Sequence, residues 1–404
     1  MTNPPPSPGA PTMTLETPAT TADVVDTCVP LAPGQPTHTL RHARAKVVAA
    51  TQASHDGLLS PGVAGISVAE RAAAALLSCQ LSRAPALAGH YQALLQQQGA
   101  EGVAWAGAIT AGRWQSALPA RLGTILGYTA KLIERPIDGD RAAVQALVQA
   151  GLSTPAIVAL AQLIAFVSYQ VRLVAGLQAI AAAALLPAPA ADTIAAATPV
   201  GQPALLPSPL RIQGFTDETL PWLPWLDTVA LDAATPEQLA ALDEMSPTAR
   251  QSPYFLLLAH QPEILLHRSV AFNAIMFAPG GLSRAERELG ATVESRLNGC
   301  VYCTSVHAQR FAQLARRNDV IAQLFQEPAT AGIDARERAL VRFSAQLGLQ
   351  PHTVAAADVL ALQAAGLQPA EVLDLVHAVA LFAWANRLML NLGETVLPWA
   401  APPA

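Results

Sequence analysis

The chain has few aromatic residues, few charged residues and few cysteines. Aromatic residues occupy 5% and charged residues 13% of its 404 positions, whereas 52% are hydrophobic, with alanine and leucine predominating. Alanine and leucine are strong helix formers, and aromatic and β-branched residues are the ones that favour strands, so the composition predicts an all-α protein. The length allows two domains of ordinary size and excludes a single small one.

An excess of positive charge is also missing. The 24 Lys and Arg are outnumbered by 29 Asp and Glu, which gives a formal net charge of −5. The cationic residues are scattered along the chain. Because nucleic-acid binding needs a basic surface that neutralises phosphates, we expect no nucleic-acid partner.

Four cysteines, Cys28, Cys79, Cys300 and Cys303, are too few and too dispersed for the disulfide framework of a secreted protein. The first 21 residues have neither the positive start nor the apolar stretch of a signal peptide. Their Pro, Thr and Ser content predicts a disordered tail over residues 1–40. We therefore expect a protein of the reducing cytoplasm.

One segment, 157–186, is apolar enough to resemble a membrane span. Gln162, Gln170 and Arg172 interrupt it, and polar side chains are costly inside a bilayer. We interpret the segment as a buried helix of a soluble protein and expect no membrane partner.

Similarity between the two halves of the chain indicates an internal duplication. Residues 147–173 align without a gap with 362–388, and 8 of these 27 positions are identical. The offset in this alignment is 215, and an offset of 216 aligns SVAER at 67–71 with SRAER at 283–287. A stretch rich in Pro and Ala, 189–210, separates the copies and is typical of a linker.

These boundaries predict two tandem helical domains, at 41–188 and 211–398. In both, apolar residues recur at spacings of three and four, without the sustained alternation that is typical of strands. The repeat is far too long for a solenoid.

The two cysteines that are close in sequence form a Cys-x-x-Cys motif, Cys300 and Cys303. Residues 284–297 have a helical pattern, and Asn298-Gly299 is typical of a helix end because both residues tolerate the left-handed conformation. A second helix is then expected to begin near Cys300. The free N–H groups and the dipole at a helix start favour a thiolate, and two cysteines three positions apart can close into a disulfide.

A histidine and a glutamate extend this motif. His307 follows Cys303 by four residues and Cys300 by seven, so it shares their helical face and can exchange protons with the thiols. In an antiparallel helical hairpin, Glu288 lies at a height comparable with His307, where it can orient the imidazole.

Two other carboxylates compete with Glu288 for this role. Glu294 is nearer the turn, but it lies about 240° around the helix from Glu288 and cannot face the thiols at the same time. Glu286 also points elsewhere. We therefore expect Glu288 to be the partner of the histidine.

Other interpretations of the motif stay open. A zinc site needs four ligands, so His352 or His377 would have to join the cysteines. The cysteines can also be small buried residues without any chemistry. A thioredoxin-like site normally accompanies a βαβ pattern, which this sequence does not have.

The spacing of Glu288, Cys300, Cys303 and His307 resembles that of the alkylhydroperoxidase D and carboxymuconolactone decarboxylase superfamily, in particular its peroxidase-related branch. The surrounding text, LSRAERE and NGCVYCTSVHA, and the segment 252–277 are similar to that branch as well. The resemblance implies an all-α fold, association into trimers or larger rings, and reduction of hydroperoxides through a Cys–Cys disulfide that a separate reductant reopens. The first half resembles a carboxymuconolactone-decarboxylase-type domain, which makes the chain similar to two bacterial protein types fused in tandem.

The first copy departs from the family pattern. The positions that correspond to the two cysteines fall among apolar residues, namely Ala84, Pro85, Leu87 and Ala88. Cys79 and His90 are nearby but do not restore the spacing. We expect this half to lack thiol chemistry and to pair with the second half as a neighbouring subunit does in a homo-oligomer. In the second copy, Tyr302 stands where some peroxidases of the family carry a histidine, which removes one proton donor.

These observations predict a thiol peroxidase that holds no metal and no cofactor. Cys303 attacks the peroxide, Cys300 condenses with the resulting sulfenic acid, and His307 with Glu288 carries protons, although the roles of the two cysteines can be reversed. The expected partners are a hydroperoxide, an external thiol or disulfide reductant, and further copies of the chain. Two alternatives are a carboxymuconolactone-decarboxylase-type lyase acting on a small acid or lactone, and a non-catalytic redox adaptor.

Overall fold

Helices form most of the protein, and the all-α prediction is confirmed. The computed structural model describes residues 23–187 and 209–399, and these ranges contain 18 α-helices. The helices of the first half are α1 (Val24–Cys28), α2 (Pro36–His42), α3 (Ala45–Leu59), α4 (Val68–Leu81), α5 (Pro85–Gln96), α6 (Ala100–Thr110), α7 (Ala120–Glu134), α8 (Arg141–Gln149) and α9 (Thr154–Ala183). The helices of the second half are α10 (Pro236–Met245), α11 (Pro253–Leu258), α12 (Pro262–Met276), α13 (Arg284–Leu297), α14 (Val301–Ala315), α15 (Asp319–Gln326), α16 (Ala335–Leu349), α17 (Ala356–Ala364) and α18 (Pro369–Asn391).

The remaining regular elements are short. The 3-10 turns are Pro136–Asp138, Ala249–Gln251, Pro328–Thr330 and Pro351–Thr353. The strands are β1 (Arg211–Ile212), β2 (Phe215–Thr216), β3 (Trp222–Pro224) and β4 (Gly393–Thr395). β1 pairs with β2 and β3 with β4, both antiparallel. The second pair fastens the segment before α10 to the end of α18, and the Trp222 indole N–H donates to the Met389 carbonyl at 2.9 Å.

The prediction of a disordered tail is wrong for residues 23–40, which contain α1 and part of α2. Val25 and Thr37 are buried, and both helices pack against α9. The apolar residues of α1 give this segment an anchor that the Pro- and Thr-rich start of the chain does not supply. Residues 1–22 and most of the predicted linker at 189–210 lie outside the described residues.

The sequence duplication corresponds to a duplicated set of helices. The pairs α7 and α16, α8 and α17, and α9 and α18 each begin 215 positions apart, and α4 and α13, like α5 and α14, begin 216 apart. The same ion pair fixes each copy: Arg121 Nε lies 2.6 Å from Glu70, and Arg336 Nε lies 2.5 Å from Glu286. Both halves therefore contain the same helical unit.

The long helices α9 and α18 pack against each other at the centre of the molecule. A single cluster of buried apolar side chains extends across both halves around them. By length and composition both helices could cross a membrane, but the apolar window of each is entirely buried inside the protein. This burial agrees with the prediction of a core helix at 157–186, because a helix that is apolar all round needs neighbours on every side.

Contacts between the halves are reciprocal. Arg172 of α9 donates to the carbonyl of Gly348 in α16. Its counterpart, Arg387 of α18, lies 3.5 Å from the carbonyl of Ile133 in α7, which is the position equivalent to Gly348. The rings of the equivalent residues Tyr169 and Trp384 meet with centroids 5.8 Å apart. Each contact thus occurs twice, with the two halves exchanging roles. Such paired contacts are typical of a dimer interface with two-fold symmetry.

Candidate active site

The Cys-x-x-Cys segment lies between α13 and α14, which pack against each other. α13 begins with a capping box, in which the Ser283 hydroxyl accepts the Glu286 backbone N–H at 3.2 Å and the Glu286 carboxylate accepts the Ser283 N–H at 3.2 Å. Asn298 caps its end, and Gly299 turns the chain with φ of +72°. Cys300 is the N-cap residue of α14, so both sulfurs lie in or next to its first turn.

Both thiols are buried and in contact. Only 1% of Cys300 and 5% of Cys303 is exposed, and Cys303 is close enough to affect the pKa of Cys300. Burial raises the pKa of the Cys300 thiol well above its usual range, and the contact with Cys303 raises it further, while a hydrogen bond with Asn386 of α18 opposes the shift. Cys300 is thus a neutral thiol at neutral pH, next to a second sulfur with which it can form a disulfide.

Glu288 and His307 meet across the two helices. His307 Nδ1 lies 2.5 Å from Glu288 Oε2, which fixes the orientation of the imidazole ring. The other carboxylate oxygen, Oε1, accepts the Nε–H of Arg284 at 2.7 Å. Phe382 of α18 packs edge-on against the imidazole, with centroids 4.1 Å apart. The histidine is thereby held between a carboxylate and an apolar wall.

Glu288 is a buried carboxylate whose charge is compensated. Burial by itself would raise its pKa, but the charge and hydrogen bond of His307, together with those of Arg284, outweigh that effect and lower it. Glu288 is therefore ionised at neutral pH and can stabilise a protonated imidazole.

The two competing carboxylates point away from the histidine. Glu294 accepts the Asn298 amide N–H at 2.7 Å and lies 3.6 Å from Arg172 of the first half. Glu286 closes the capping box and pairs with Arg336. The helical phase thus separates the three glutamates of α13 as expected.

Tyr254 lies close to both cysteines and is bound by Arg268. The Tyr254 hydroxyl accepts a hydrogen bond from Arg268 Nη2 at 3.0 Å. Burial raises the pKa of Tyr254, the charge of Arg268 opposes this, and both cysteines add to it. Arg268 Nε and Nη1 are buried and have no hydrogen-bond partner among the described residues.

A cavity of about 350 Å³ opens at the start of α13. Its wall includes Phe277, Ser283 and Arg284, and the Arg284 guanidinium stacks 4.0 Å above the Phe277 ring. Arg284 also binds Glu288, so one arginine connects the wall of the cavity with the Glu288–His307 pair.

The histidines considered as additional zinc ligands lie in other surroundings. His352 Nε2 is 3.4 Å from Arg83 Nη1. His377 is buried, which lowers its pKa to about 4 against the opposing charge of Asp374. Over the described ranges, neither joins the cysteines in a group of three potential metal ligands.

The first half carries a different set of residues at the equivalent place. The four positions that correspond to the glutamate, the two cysteines and the histidine, at the offset of 216, are Ala72, Ala84, Leu87 and Tyr91. Tyr91 takes the place of the histidine, and its buried hydroxyl donates to Gln170 Oε1. None of these four residues is a cysteine, a histidine or a glutamate.

Comparison with known proteins places the site within one superfamily. The sequence model of the Carboxymuconolactone decarboxylase family matches residues 265–346. That segment, which includes Glu288, Cys300, Cys303 and His307, belongs to the alkylhydroperoxidase D and carboxymuconolactone decarboxylase superfamily, so the resemblance seen in the sequence is confirmed there. Fusion to a first domain of the same kind stays a prediction.

One solved structure is similar to part of the chain. The structure is described as an alkylhydroperoxidase AhpD core, an uncharacterized peroxidase-related protein from Ralstonia eutropha JMP134; it is 28% identical over 40% of this chain and 85% of its own length, with a TM-score of 0.36. No curated protein matches the chain significantly.

Three residues of the site do not follow from the motif. Arg284 precedes Glu288 by four positions, a spacing that predicts a helical ion pair and is readable from the sequence. Asn386 and Phe382 come from α18, about 80 positions further along the chain. Only the packing of α18 against α13 and α14 brings Asn386 to Cys300 and Phe382 to His307.

Proposed function

We propose that this protein is a thiol-dependent peroxidase that reduces hydroperoxides through a Cys300–Cys303 disulfide. The observation that carries the proposal is the buried Glu288–His307 pair, whose Oε2 and Nδ1 atoms are 2.5 Å apart, with the histidine on the same helix, α14, whose start holds the two buried cysteines. A buried carboxylate that holds an imidazole beside a thiol is an arrangement that supplies and removes protons during thiol chemistry.

The reaction has two steps in this proposal. The Cys303 thiolate attacks the terminal oxygen of the hydroperoxide, the O–O bond breaks, and the leaving alkoxide takes the proton that His307 holds, which gives an alcohol and a sulfenic acid. The Cys300 thiol then attacks the Cys303 sulfur, a disulfide forms, and water leaves. An external dithiol returns two electrons and two protons and reopens the disulfide.

The environment of the two sulfurs supports this order. Cys300 has the raised pKa and is held by Cys303 and Asn386, which suits a neutral thiol that waits to resolve a sulfenic acid. Cys303 lies one helical turn from His307, and the histidine can accept its proton.

The experiment that tests the proposal is a coupled assay of hydroperoxide loss with several dithiol reductants. We expect turnover in the wild type, loss of turnover in both Cys300→Ser and Cys303→Ser, and a mass loss of about 2 Da that maps to a Cys300–Cys303 peptide after peroxide treatment. Accumulation of a sulfenic acid in Cys300→Ser, trapped by dimedone on Cys303, assigns the attacking sulfur. Full turnover in the double serine variant would exclude a thiol peroxidase.

The matched family provides a second candidate, because its name denotes a decarboxylase. A lyase acting on a small acid or lactone would use His307 and Glu288 for proton transfer and would not need the cysteines. Release of carbon dioxide or loss of a lactone that persists after alkylation of every thiol would favour the lyase. A disulfide that forms readily without peroxide turnover under any reductant would favour a redox adaptor.

A further inference from the structure

We propose that Asp26, His38 and His42 form a binding site for one divalent transition-metal ion, with Zn²⁺ as the preferred metal. The bound ion would connect α1 to α2. The site lies in the first half, in the segment before α3, and is separate from the cysteine pair. It does not depend on the proposed peroxidase activity.

The three side chains come from two helices and converge on one point. His38 and His42 are four residues apart on α2, so their rings lie on one face, stacked with centroids 4.0 Å apart and 18° between their planes. Asp26 of α1 points its Oδ2 at both rings, 2.7 Å from His42 Nε2 and 3.9 Å from His38 Nε2. One atom from each of the three residues lies within 4.8 Å of the others.

A hydrogen bond explains only part of this arrangement. The contact at 2.7 Å is an ordinary His–Asp hydrogen bond, but His38 Nε2 at 3.9 Å is beyond hydrogen-bonding distance. In a tetrahedral zinc site with metal–ligand bonds near 2.1 Å, ligand atoms are separated by about 3.4 Å. The observed separations lie on both sides of that value. To bind one ion, the two imidazole rings have to turn out of their stacked arrangement so that both Nε2 lone pairs point at it.

A buried arginine, Arg41, holds the carboxylate of Asp26 in a fixed orientation. Arg41, which is almost entirely buried, donates to Asp26 Oδ1 at 2.6 Å and reaches Asp23 Oδ2 at 3.1 Å. Oδ1 is thus occupied and Oδ2 is left for the ion, as expected of a partner that orients a metal ligand. With Asp23 and Asp26 against one arginine, the local charge before any imidazole protonates is −1, which favours a cation.

The ligand types select the metal. Two imidazoles and one carboxylate suit Zn²⁺, Co²⁺ or Ni²⁺, whereas Ca²⁺ and Mg²⁺ prefer sites made of oxygen atoms alone. The side chains are partly accessible, with 19% of His38 and 36% of His42 exposed, so an ion can enter from solvent. Three protein ligands leave the fourth position for water.

The test uses the full chain after removal of metals with a chelator. Because thiols also bind zinc, titrations are made with the Cys300→Ser/Cys303→Ser variant, in which the cysteine pair cannot compete. We expect one equivalent of Zn²⁺ by calorimetry, and a visible Co²⁺ spectrum without the thiolate-to-cobalt charge-transfer band. His38→Gln, which leaves the His42–Asp26 hydrogen bond in place, should weaken the affinity by at least about tenfold, since even partners outside the ligand set cost 10–100-fold.

His352→Gln is the matched control, because this histidine lies beside Arg83 and away from the site. The Zn²⁺ affinity of the His352→Gln variant should equal that of the parent. Limited proteolysis gives a second measurement that does not depend on the fold of a variant: Zn²⁺ should slow cleavage within residues 23–44. Absence of saturable binding in the parent, equal affinity in His38→Gln, or cleavage that Zn²⁺ does not change would overturn the proposal.

Discussion

Glu288 divides its two oxygens between two partners, Oε2 facing His307 and Oε1 facing Arg284. With Nδ1 of the imidazole committed to the carboxylate, Nε2 is the nitrogen that can exchange a proton with a thiol or a leaving alkoxide. In the proposed reaction Glu288 therefore acts through His307 as a positioning residue, and we expect its removal to change the orientation of the imidazole and to leave both thiols in place.

Glu288→Gln should lower kcat with peroxide by on the order of 10²-fold, the low end of what positioned proton transfer contributes, and leave disulfide formation by a strong oxidant intact. The pH profile should change as well, because the imidazole loses the ionised carboxylate that faces its Nδ1. Steady-state kinetics from pH 5 to 9 check this. Glu263→Gln, at an exposed glutamate, is the control, and an unchanged pH profile in Glu288→Gln would contradict the role.

The lowered pKa of Glu288 also predicts a pH dependence of stability. The pKa is lower in the folded protein than in the unfolded chain, so the ionised carboxylate contributes stability that is fully present above the unfolded value of about 4.3 and is lost as pH falls through the folded pKa. The difference in unfolding free energy between the wild type and Glu288→Gln should be constant from pH 7 to about 5 and shrink below that. Urea denaturation at each pH measures it; a difference that grows toward acid pH would refute the assignment.

Thiol reactivity should distinguish the four cysteines. Burial raises the pKa of Cys300 and Cys79, and it raises that of Cys28 to about 11, so all three are protonated and slow to alkylate at neutral pH. In a short pulse of iodoacetamide at pH 7.5, read by peptide mass spectrometry, Cys303 should be labelled first. Preferential labelling of Cys300 would reverse the assignment of attacker and resolver.

Spacing along the helices was sufficient to place Glu288 beside His307 and to turn Glu294 away. It could not supply Asn386 or Phe382, because these residues reach the site from α18, whose packing against α13 is a tertiary feature. The pKa of Cys300 also could not be predicted from the sequence. A helix start favours a thiolate, but the complete burial of this thiol has the larger effect and raises its pKa.

At the scale of elements, the turn between α13 and α14 depends on the other half of the chain. Gly299 has φ of +72°, and a Cβ at this position would run into the side chain of Ile137. Ile137 belongs to the 3-10 turn after α7. The glycine is thus required twice, once for its backbone conformation and once for the approach of the first half.

Gly299→Ala should therefore cost more than the left-handed conformation alone, which is roughly 1–2 kcal/mol. Gly112→Ala is the matched control, since Gly112 has φ of +69° but open space around its Cα. We expect Gly299→Ala to exceed the control by on the order of 1 kcal/mol, because Ile137 has to move. Urea denaturation of both variants measures the difference; equal losses would show that Ile137 yields freely.

The helices of the duplicated unit were largely predictable, because caps and apolar spacing mark them. Ser67 and Ser283, each followed by Glu three positions later, begin α4 and α13 as capping boxes. The helices α1 and α2 were missed, since they are short and their burial against α9 comes from tertiary packing that composition does not reveal.

At the scale of the whole molecule, the two halves share one apolar core around α9 and α18. The described second half, 209–399, would by itself expose the face of α18 that α9 covers, and an exposed apolar face of this length favours aggregation. We expect residues 209–399 expressed alone to aggregate, and co-expression with 23–187 to recover a soluble complex. Size-exclusion chromatography and circular dichroism test this. A monodisperse, cooperatively unfolding fragment would show that the halves are independent domains.

The reciprocal contacts of Arg172 and Arg387 have a consequence for how such a site can change. In a homodimer, every substitution appears on both sides of the axis at once, so a residue that improves the partner surface also alters the second active site. Here the two copies are separate stretches of one gene, and a change at Tyr91 leaves its counterpart His307 untouched. Because the two copies can mutate independently, one copy can lose its catalytic residues while the contacts between the halves stay symmetric.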